Sequence, residues 1–475
     1  MPLEGHIFRD PKGPLSERDL DLIHDGTMRV LDRAGLVFAS EQAVDILAQG
    51  GCIVDRATGR VRFPQALVEE CIQQCPSEFI VRARSHDYDL EIGGDRLYFQ
   101  SHPGRYLLDL ESNIRREAIL DDIGPLVRLV DAMDGIHLSM MPTSTISDRP
   151  SPVMIEWITA EQMRNTQKVT AAGVFEGCAP WVIEMAQVTG QQVYGQINPI
   201  TPLCYPRDQI EGGLAYVRAG HPVCILPGPT LGANSPVTLA GTLVLQNAEH
   251  LAAVVLLQLY QPGAPVTLAS YPHLMDVRNA GLCIGAVEIG LLGAALAQIS
   301  RRYAIPSHPE FPITDSKCLD EQSALEKAMT VVLLAEAGAN LISNGGALET
   351  EKMWSPVQLV IDNEINGMVG RVREGIAVTE ETLALDVIEE IGHAGNYLES
   401  MHTLRLWRKE QFLPHLADRQ GYESWVANGA KDMADRARER ALELMRTHQV
   451  PPLPEEQERE LARIVRAAEA EKLGS

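Results

Sequence analysis

Hydrophobic residues in the central part of the chain form short runs on either side of one long, mostly apolar segment. Residues 222–226 and 265–269 are apolar runs with β-branched residues, and the loop at residues 227–232 is rich in Pro and Gly, so the runs predict two buried strands. Residues 236–261 predict a helix between them, with Ser235 as its N-cap. A helix of this length makes the two strands parallel. The stretch therefore predicts one buried βαβ unit.

The same alternation of strand and helix continues from residue 121 to about residue 373. Seven strands are predicted, at residues 136–140, 168–172, 193–197, 223–226, 266–269, 304–307 and 340–343. Seven strands with helices between them favour a closed (β/α)8 TIM barrel, an α/β fold, although no eighth strand is evident. An open nucleotide-binding sheet is the alternative, but neither G-x-G-x-x-G after the first strand nor G-x-x-x-x-G-K-[ST] occurs.

The two ends of the chain have other patterns. Residues 16–50 have the apolar spacing of helices, with Ser16 and Asp19 as a cap, and the alternating runs of residues 79–110 predict a β-meander that forms an N-terminal addition or lid. The chain after residue 399 is rich in Arg, Glu, Ala and Leu, which predicts helices, and we expect them to form a contact in a homo-oligomer. We therefore expect N-terminal helices and β-meander, a barrel and a C-terminal helical extension, at residues 1–120, 121–400 and 401–475.

Composition excludes several classes of protein. A formal net charge of −23 argues against a nucleic-acid partner, because neutralising phosphates needs clustered Lys and Arg. The eight cysteines contain no C-x-x-C pair, so we expect reduced, mostly buried thiols and no bound metal. The N-terminal residues lack the apolar stretch that a signal peptide needs. Polar residues interrupt the apolar segment 236–261, which argues against a membrane-spanning helix. We expect a cytoplasmic protein without a membrane partner.

In a TIM barrel the reactive groups lie on the loops that follow the strands. These loops contain no G-x-S-x-G or H-E-x-x-H motif. Their carboxylates and aromatic rings could together hold a cation, while His273 and His308 could be acids, anion binders or structural residues. The candidate cation ligands are Glu176, Tyr271, Asp276, Glu310, Phe311 and Glu349. The alternative for each is a structural role, as a helix cap, an ion pair or core packing.

The loop SNGGALE at residues 343–349 includes a further candidate, Asn344, beside paired glycines that let a large ligand approach the backbone. The flexible geometry of a turn would equally explain the two glycines.

Five ordered motifs connect the chain to a known family. They are GPTLGANSPVTLAGTLVLQNAEHLA (228–252), QLYQPGAPV (258–266), TDSKCLDEQSALEKAMT (314–330), AGANLISNGGALE (337–349) and QLVIDNEI (358–365). With them the chain resembles the trimethylamine methyltransferase family, in the branch without pyrrolysine that includes the glycine betaine methyltransferases. Founding members carry pyrrolysine near residues 344–349, where this chain has only standard residues. The resemblance thus implies a quaternary amine as substrate rather than trimethylamine.

The resemblance also implies a TIM barrel that moves a methyl group from a quaternary amine of the betaine type, such as glycine betaine, to cob(I)alamin, which becomes methylcobalamin on a separate small corrinoid-binding protein. A quaternary nitrogen leaves as a neutral amine, so position and desolvation must supply the rate. The carboxylate of a betaine needs a partner, for which Arg278, His273 and His308 are candidates.

Two other functions stay open at this point. The barrel could be a lyase or isomerase that needs no cofactor and uses His308 and Glu310 as acid and base. It could also be a non-catalytic barrel that binds an amine or a corrinoid protein. Methyl transfer to cobalamin distinguishes the first hypothesis from both alternatives.

Overall fold

The computed structural model describes residues 6–7, 13–174, 177–310 and 312–474. The N-terminal part mixes helices with short strands: β1 (His6–Ile7), α1 (Glu17–Arg33), β2 (Leu36–Phe38), α2 (Glu41–Gln49), β3 (Ile53–Asp55), β4 (Arg60–Arg62), α3 (Gln65–Gln74), β5 (Glu78–Val81) and β6 (Leu90–Gly93). Helix α1 begins at the expected cap, because the Ser16 hydroxyl accepts the N–H of Asp19 and the Asp19 carboxylate accepts the N–H of Ser16.

The central part alternates strands and helices. Its elements are β7 (Arg96–Ser101), β8 (Tyr106–Leu108), β9 (Arg115–Arg116), α4 (Leu120–Asp131), β10 (Leu138–Ser139), α5 (Met154–Asn165), β11 (Val169–Gly173), α6 (Ala179–Thr189), β12 (Val193–Ile197), β13 (Cys204–Tyr205), α7 (Arg207–Arg218), β14 (Val223–Ile225), β15 (Thr230–Leu231), α8 (Leu239–Tyr260), β16 (Val266–Ser270), β17 (His273–Asp276), β18 (Gly281–Cys283), α9 (Val287–Arg302), β19 (Ser307–Pro309), α10 (Glu321–Glu336), β20 (Leu341–Gly345), β21 (Ala347–Leu348), β22 (Met353–Trp354) and α11 (Pro356–Glu374).

Eight of these strands form a parallel barrel. The order is β7, β10, β11, β12, β14, β16, β19 and β20, and β20 pairs with β7 in parallel. Between β19 and β20 the contact is a single parallel bridge, from Glu310 to Ser343, which completes the ring. The predicted TIM barrel is therefore confirmed, with the crossover helices on its outside as a parallel sheet requires.

The eighth strand is β7, which lies in the segment that we expected to form a β-meander. Strands β5 and β6 do form an antiparallel hairpin, but β7 pairs in parallel with β10 and β20. The barrel therefore begins at Arg96 rather than at residue 121. The expectation failed because Gln100 and Ser101 give β7 the mixed polarity of an exposed strand, whereas both side chains are buried.

Helix α8 lies between the barrel and the N-terminal helices α1, α2 and α3, and 15 of its 22 residues are buried. It is long and apolar enough to cross a membrane, but it forms part of the protein core. Its polar residues have partners within the protein: the Asn247 amide donates to Thr27 Oγ1 at 3.0 Å and to Tyr303 Oη at 2.9 Å. Such pairing offsets the cost of burying an amide.

The predicted N-cap of α8 is wrong. The helix begins at Leu239, and Thr238 occupies the cap position. Residues 230–235 form a tight turn in which the Gly232 N–H donates to the Ser235 carbonyl, while the Ser235 hydroxyl lies 3.1 Å from Thr242 Oγ1. Ser235 therefore ends this turn instead of starting the helix.

The C-terminal extension is helical, as expected, with α12 (Glu380–Leu383), α13 (Leu385–Ile391), α14 (Met401–Glu410), α15 (Tyr422–Ala427), α16 (Met433–Thr447) and α17 (Glu455–Leu473). Helix α16 packs on α11 and α4, and α17 packs on α5 and α6. Five of the eight cysteines are buried, as the sequence predicts, and all eight are free thiols in this structure.

Candidate functional site

Polar side chains from four strands meet at His308, the second residue of β19. Its Nδ1 lies 3.1 Å from Tyr194 Oη on β12 and 3.5 Å from Cys224 Sγ on β14, and its Nε2 lies 3.0 Å from Ser343 Oγ on β20. Strands β12 and β19 are not neighbours, so these contacts cross the inside of the barrel. We call Tyr194, Cys224, His308, Glu310 and Ser343 the interior cluster.

Glu310 is the carboxylate of the interior cluster. It lies at the C-terminal end of β19, is 6% exposed, and places Oε1 3.8 Å from His308 Nε2. Burial raises the pKa of Glu310 to about 7, an effect that the nearby His102 opposes. Burial lowers the pKa of His308 to about 3, and His102 contributes in the same direction. Burial thus disfavours charge on both groups, and a cation bound beside Glu310 would favour its ionised form.

The other members of the interior cluster are uncharged. Burial raises the pKa of Tyr194 well above its ordinary value, and its hydroxyl contacts Thr267 Oγ1. Burial also raises the pKa of Cys224, so the thiol is not activated as a nucleophile. The cluster therefore offers a polar but uncharged lining around a single ionisable carboxyl group.

Three members of this cluster are also donor groups that metals use. The Cys224 thiol, the His308 imidazole and the Glu310 carboxyl group each offer one atom within 4.8 Å of the others, the one such group of three among the described residues. These are ligand types of zinc. Both imidazole nitrogens, however, already lie within hydrogen-bonding distance of hydroxyl groups of Tyr194 and Ser343.

A second buried histidine, His102, follows β7 and was not among the candidates from the sequence. Its Nε2 lies 2.8 Å from Glu351 Oε2. Glu351 ends a run of three left-handed residues, with φ of 51°, 54° and 59° from Glu349 onward. This run is held by hydrogen bonds from the Glu349 and Thr350 N–H groups to carbonyls of Ser316 and Thr314. The polar alternation of Gln100, in β7, and His102, directly after it, is the signal that could have identified this residue.

Tyr271 and His273 lie together beside the barrel mouth, at the end of β16 and the start of β17. Their rings make an edge contact with centroids 4.3 Å apart. Burial lowers the pKa of His273 to about 4, against the effect of Asp315. Strand β16 pairs with β19, and the Glu310 N–H donates to the Ser270 carbonyl at 3.3 Å. Tyr271 and Glu310 therefore follow neighbouring strands.

Four other candidates have partners away from the interior cluster. Asp276 and Arg278 pair with each other at 2.6 Å, with the Arg278 side chain 85% exposed. The Asn344 amide donates to Asn366 Oδ1 on α11 at 2.6 Å, and Glu349 pairs with Arg115 at 2.9 Å. Asn344 faces α11 because successive residues of a strand point to opposite sides, and Ser343 points inward.

The remaining two candidates, Glu176 and Phe311, lie outside the described residues.

A buried ion pair holds the glycine-rich loop of residues 344–347. Lys327 Nζ lies 3.1 Å from Asp362 Oδ2, donates to the Asn344 carbonyl at 2.8 Å and to the Ala347 carbonyl at 3.0 Å, and neither charged side chain is exposed. Asp362 accepts the Gly346 N–H at 2.7 Å. Gly346 has φ of 92°, and a Cβ there would lie 2.3 Å from Trp354 Nε1. Lys327 and Asp362 lie in the motifs at residues 314–330 and 358–365. Both motifs therefore supply side chains that hold the glycine-rich loop in place.

Comparison with known proteins assigns the chain to a family. The model of the family "Trimethylamine methyltransferase (MTTB)" matches residues 7–472. The chain is 36% identical to trimethylamine methyltransferase MttB of Desulfitobacterium hafniense (strain DSM 10664 / DCB-2), over 96% of this chain and 94% of that protein. It is 32% identical to glycine betaine methyltransferase of Desulfitobacterium hafniense (strain Y51), over 92% and 93% of the two chains.

A solved structure supports the fold alone. The crystal structure of the Methanosarcina barkeri monomethylamine methyltransferase (MtmB) is 13% identical in sequence and superimposes with a TM-score of 0.53, covering 94% of this chain and 90% of that one. The family that the five motifs indicated is thus confirmed by a match over nearly the whole length. The chain belongs to the trimethylamine methyltransferase family.

Proposed function

We propose that the protein transfers a methyl group from a quaternary amine of the betaine type, such as glycine betaine, to the Co(I) corrinoid of a separate small protein. One observation carries the proposal: the interior cluster combines one ionisable carboxyl group, Glu310, with neutral polar side chains and an unactivated thiol. Such a lining suits a bound cation and offers no protein nucleophile.

The reaction needs little chemistry from the protein. In the substrate, the bond between nitrogen and one methyl carbon breaks, and both its electrons stay on nitrogen, which leaves as a neutral tertiary amine. The acceptor, Co(I) of the corrinoid, supplies the electron pair of the new bond to carbon. No proton is transferred, so the protein must bind the amine, orient one methyl group and exclude water.

Glu310 supplies the charge that matches the cation. A quaternary ammonium beside it stabilises the carboxylate and lowers the pKa that burial has raised to about 7. His308 stays neutral because burial lowers its pKa to about 3, so it does not repel the cation. The ring of Tyr271, which follows the neighbouring strand, offers an aromatic face for the same cation.

His273 is the group that we assign to the carboxylate of a betaine. It lies against Tyr271, and burial keeps its imidazole neutral, so it can donate one N–H to an anion. Arg278 is less suitable, since it is largely exposed and already paired with Asp276. The two ends of a betaine would thus contact Glu310 and His273, leaving one methyl group of the ammonium to face the barrel mouth.

The experiment mixes purified protein with free cob(I)alamin and a panel of amines that includes glycine betaine, carnitine and trimethylamine. The absorption spectrum reports methylcobalamin. We expect methyl transfer from one quaternary amine and none from trimethylamine. Glu310→Gln should strongly reduce the rate of transfer. Asp276→Asn, which changes a carboxylate outside the interior cluster, should leave the rate unchanged.

The proposal is overturned if no amine of the panel yields methylcobalamin and none methylates a corrinoid-binding protein used as acceptor instead. Binding of an amine without transfer would indicate a non-catalytic barrel. Turnover without cobalamin would indicate a lyase, in which Glu310, with its pKa near 7, is the acid and base.

A further inference from the structure

His102 and Glu310 lie on the two sides of strand β20, at the end of the barrel where its strands finish. The His102 N–H donates to the Gly345 carbonyl at 2.9 Å, which extends the pairing of β7 with β20. On the other side of β20, Glu310 forms a parallel bridge with Ser343. Both His102 and Glu310 are buried. The imidazole therefore belongs to the same end of the barrel as the carboxyl group.

The charge of His102 acts on the interior cluster. Burial raises the pKa of Glu310, and among the described residues His102 is the one charged group that opposes this effect. Burial also lowers the pKa of His308, and His102 adds to that effect. Both contributions have the sign of a positive charge, which favours a carboxylate and disfavours a second imidazolium. The strands beside β7 offer no other source of it, since β10 and β20 contain no titratable side chain.

Glu351 holds His102 from the loop that follows β21. Its Oε2 lies 2.8 Å from His102 Nε2, and the two side chains form an ion pair when both nitrogens of the imidazole are protonated. The Glu351 side chain is 32% exposed, whereas that of His102 is 4% exposed. From the elements around it, His102 thus faces Glu351 of this loop and His308 and Glu310 of β19. Glu351 connects the buried imidazole to the surface and can balance its charge.

The backbone that carries Glu351 is strained. Residues 349–351 are three consecutive residues in the left-handed region, with φ of 51°, 54° and 59°. Residues other than glycine adopt this conformation only at a cost in free energy. The Thr350 N–H donates to the Thr314 carbonyl at 2.9 Å, and its hydroxyl donates to Asp315 Oδ1 at 3.0 Å. A neighbouring loop therefore maintains the strained conformation that brings the Glu351 carboxylate to His102.

We propose that His102 is a positioning residue for the amine site: held by Glu351, its imidazolium favours the ionised form of Glu310 before an ammonium binds there. The inference rests on the proposed function, in which Glu310 is the carboxylate that meets the cation. With the amine bound, Glu351, His102, Glu310 and the ammonium form a row of charges of alternating sign. Glu351 is needed in this row because it offsets the repulsion between the imidazolium and the ammonium.

The ionisation of Glu310 in the protein without amine tests the first step. Infrared spectra between about pH 5 and 9 detect protonated carboxyl groups, and subtracting the spectrum of Glu310→Gln in the same background isolates Glu310. His102→Gln should raise the midpoint of this titration by about one pH unit, because a nearby positive charge is lost. Glu351→Gln should raise it too, since the imidazolium loses the carboxylate that stabilises it. The double variant should show no larger rise than His102→Gln, because Glu351 acts through His102.

Binding of glycine betaine tests the consequence for the amine. If the midpoint lies near 8 rather than 7, His102→Gln should bind glycine betaine about fivefold more weakly than the wild type at pH 7. The difference should vanish above about pH 9, where Glu310 is ionised in both proteins. A variant that had merely lost structure would not recover in this way. Isothermal titration calorimetry measures the affinity, and far-ultraviolet circular dichroism checks that each variant is folded.

Two matched controls change the same residue types outside this row of charges. His86→Gln removes an exposed histidine that lies 3.2 Å from Asp89. Glu349→Gln removes a carboxylate from the same left-handed run, one that pairs with Arg115 at 2.9 Å. Neither variant should move the midpoint of the Glu310 titration.

The outcomes separate this inference from the proposed function. A midpoint that does not move in His102→Gln, or that falls in Glu351→Gln, overturns the inference. Raised midpoints in both variants of a protein that binds no amine would support the coupling between His102 and Glu310 and overturn the proposed function instead.

Discussion

Glu310 Oε1 lies 3.8 Å from His308 Nε2 inside the barrel, and burial shifts the two pKa values in opposite directions. The carboxyl group, raised to about 7, is neutral in mildly acidic solution, and the imidazole, lowered to about 3, is neutral there as well. A charge first appears in this part of the barrel when the pH rises through about 7 and Glu310 loses its proton. Both stability and ligand binding should depend on that step.

The first prediction concerns the stability of Glu310→Gln. The folded protein keeps the Glu310 proton up to pH about 7, whereas in the unfolded chain the pKa has its ordinary value of 4.5. Between these values the folded state binds more protons, so the wild type loses stability as the pH rises, by about 3 kcal/mol in total. In urea unfolding, the free energy of unfolding of Glu310→Gln should rise by this amount relative to that of the wild type as the pH goes from 4.5 to 8. The exposed Glu389→Gln should show no such gain, and equal behaviour of the two variants would contradict the prediction.

The second prediction concerns the pH dependence of amine binding. If a quaternary ammonium lies against Glu310, only the ionised carboxylate binds it well, so its dissociation constant should fall about tenfold between pH 6 and 8. Isothermal titration calorimetry with glycine betaine in buffers of different ionisation enthalpy should detect release of a proton below pH 7. Glu310→Gln should abolish the dependence. An affinity that does not change with pH in the wild type would place the cation elsewhere.

The third prediction concerns the ion pair of Lys327 and Asp362. Lys327→Met leaves Asp362 buried without its cation and frees two carbonyls of the glycine-rich loop, which should cost about 3–5 kcal/mol of stability. The double variant with Asp362→Leu should recover part of that loss, because two apolar side chains replace the pair. Unfolding free energies of the two single variants and the double variant measure this coupling. A coupling energy near zero would show that the pair is not what holds the loop.

The fourth prediction concerns metal at the interior cluster. We expect the isolated protein to contain far less than one zinc per chain, since burial keeps Cys224 protonated and hydroxyl groups contact both nitrogens of His308. Treatment with EDTA should leave methyl transfer to cob(I)alamin unchanged. Elemental mass spectrometry of the purified protein measures the zinc content per chain. One zinc per chain, lost in Cys224→Ala, would instead assign a metal site to these residues.

Several elements could be predicted because their signals are local. Strand β12 has the bounds that the hydrophobic pattern predicts, at residues 193–197. The apolar faces of α8 indicated a covered helix, and α1, α2 and α3 cover it. His308 and Glu310 were identifiable because a barrel places its reactive groups after its strands.

Other contacts could not be predicted from the sequence. Arg278 pairs with Asp276, two residues before it in the chain, rather than with a group of the interior cluster. Further contacts depend on distant parts of the chain. Asn344 faces α11 because the register of β20 turns Ser343 inward. His102 was missed because its strand, β7, was assigned to a meander rather than to the barrel.

The sequence by itself determined the family, the repeating βαβ pattern and the approximate positions of seven barrel strands, since hydrophobic period and motif order are properties of neighbouring residues. Only the tertiary structure decided which strand closes the barrel and which polar groups meet inside it. Tyr194 and His308 are 114 positions apart, and closure of the ring brings their side chains to 3.1 Å. The physical reason is that register and closure are set by packing across the whole barrel, which no local pattern of residues encodes.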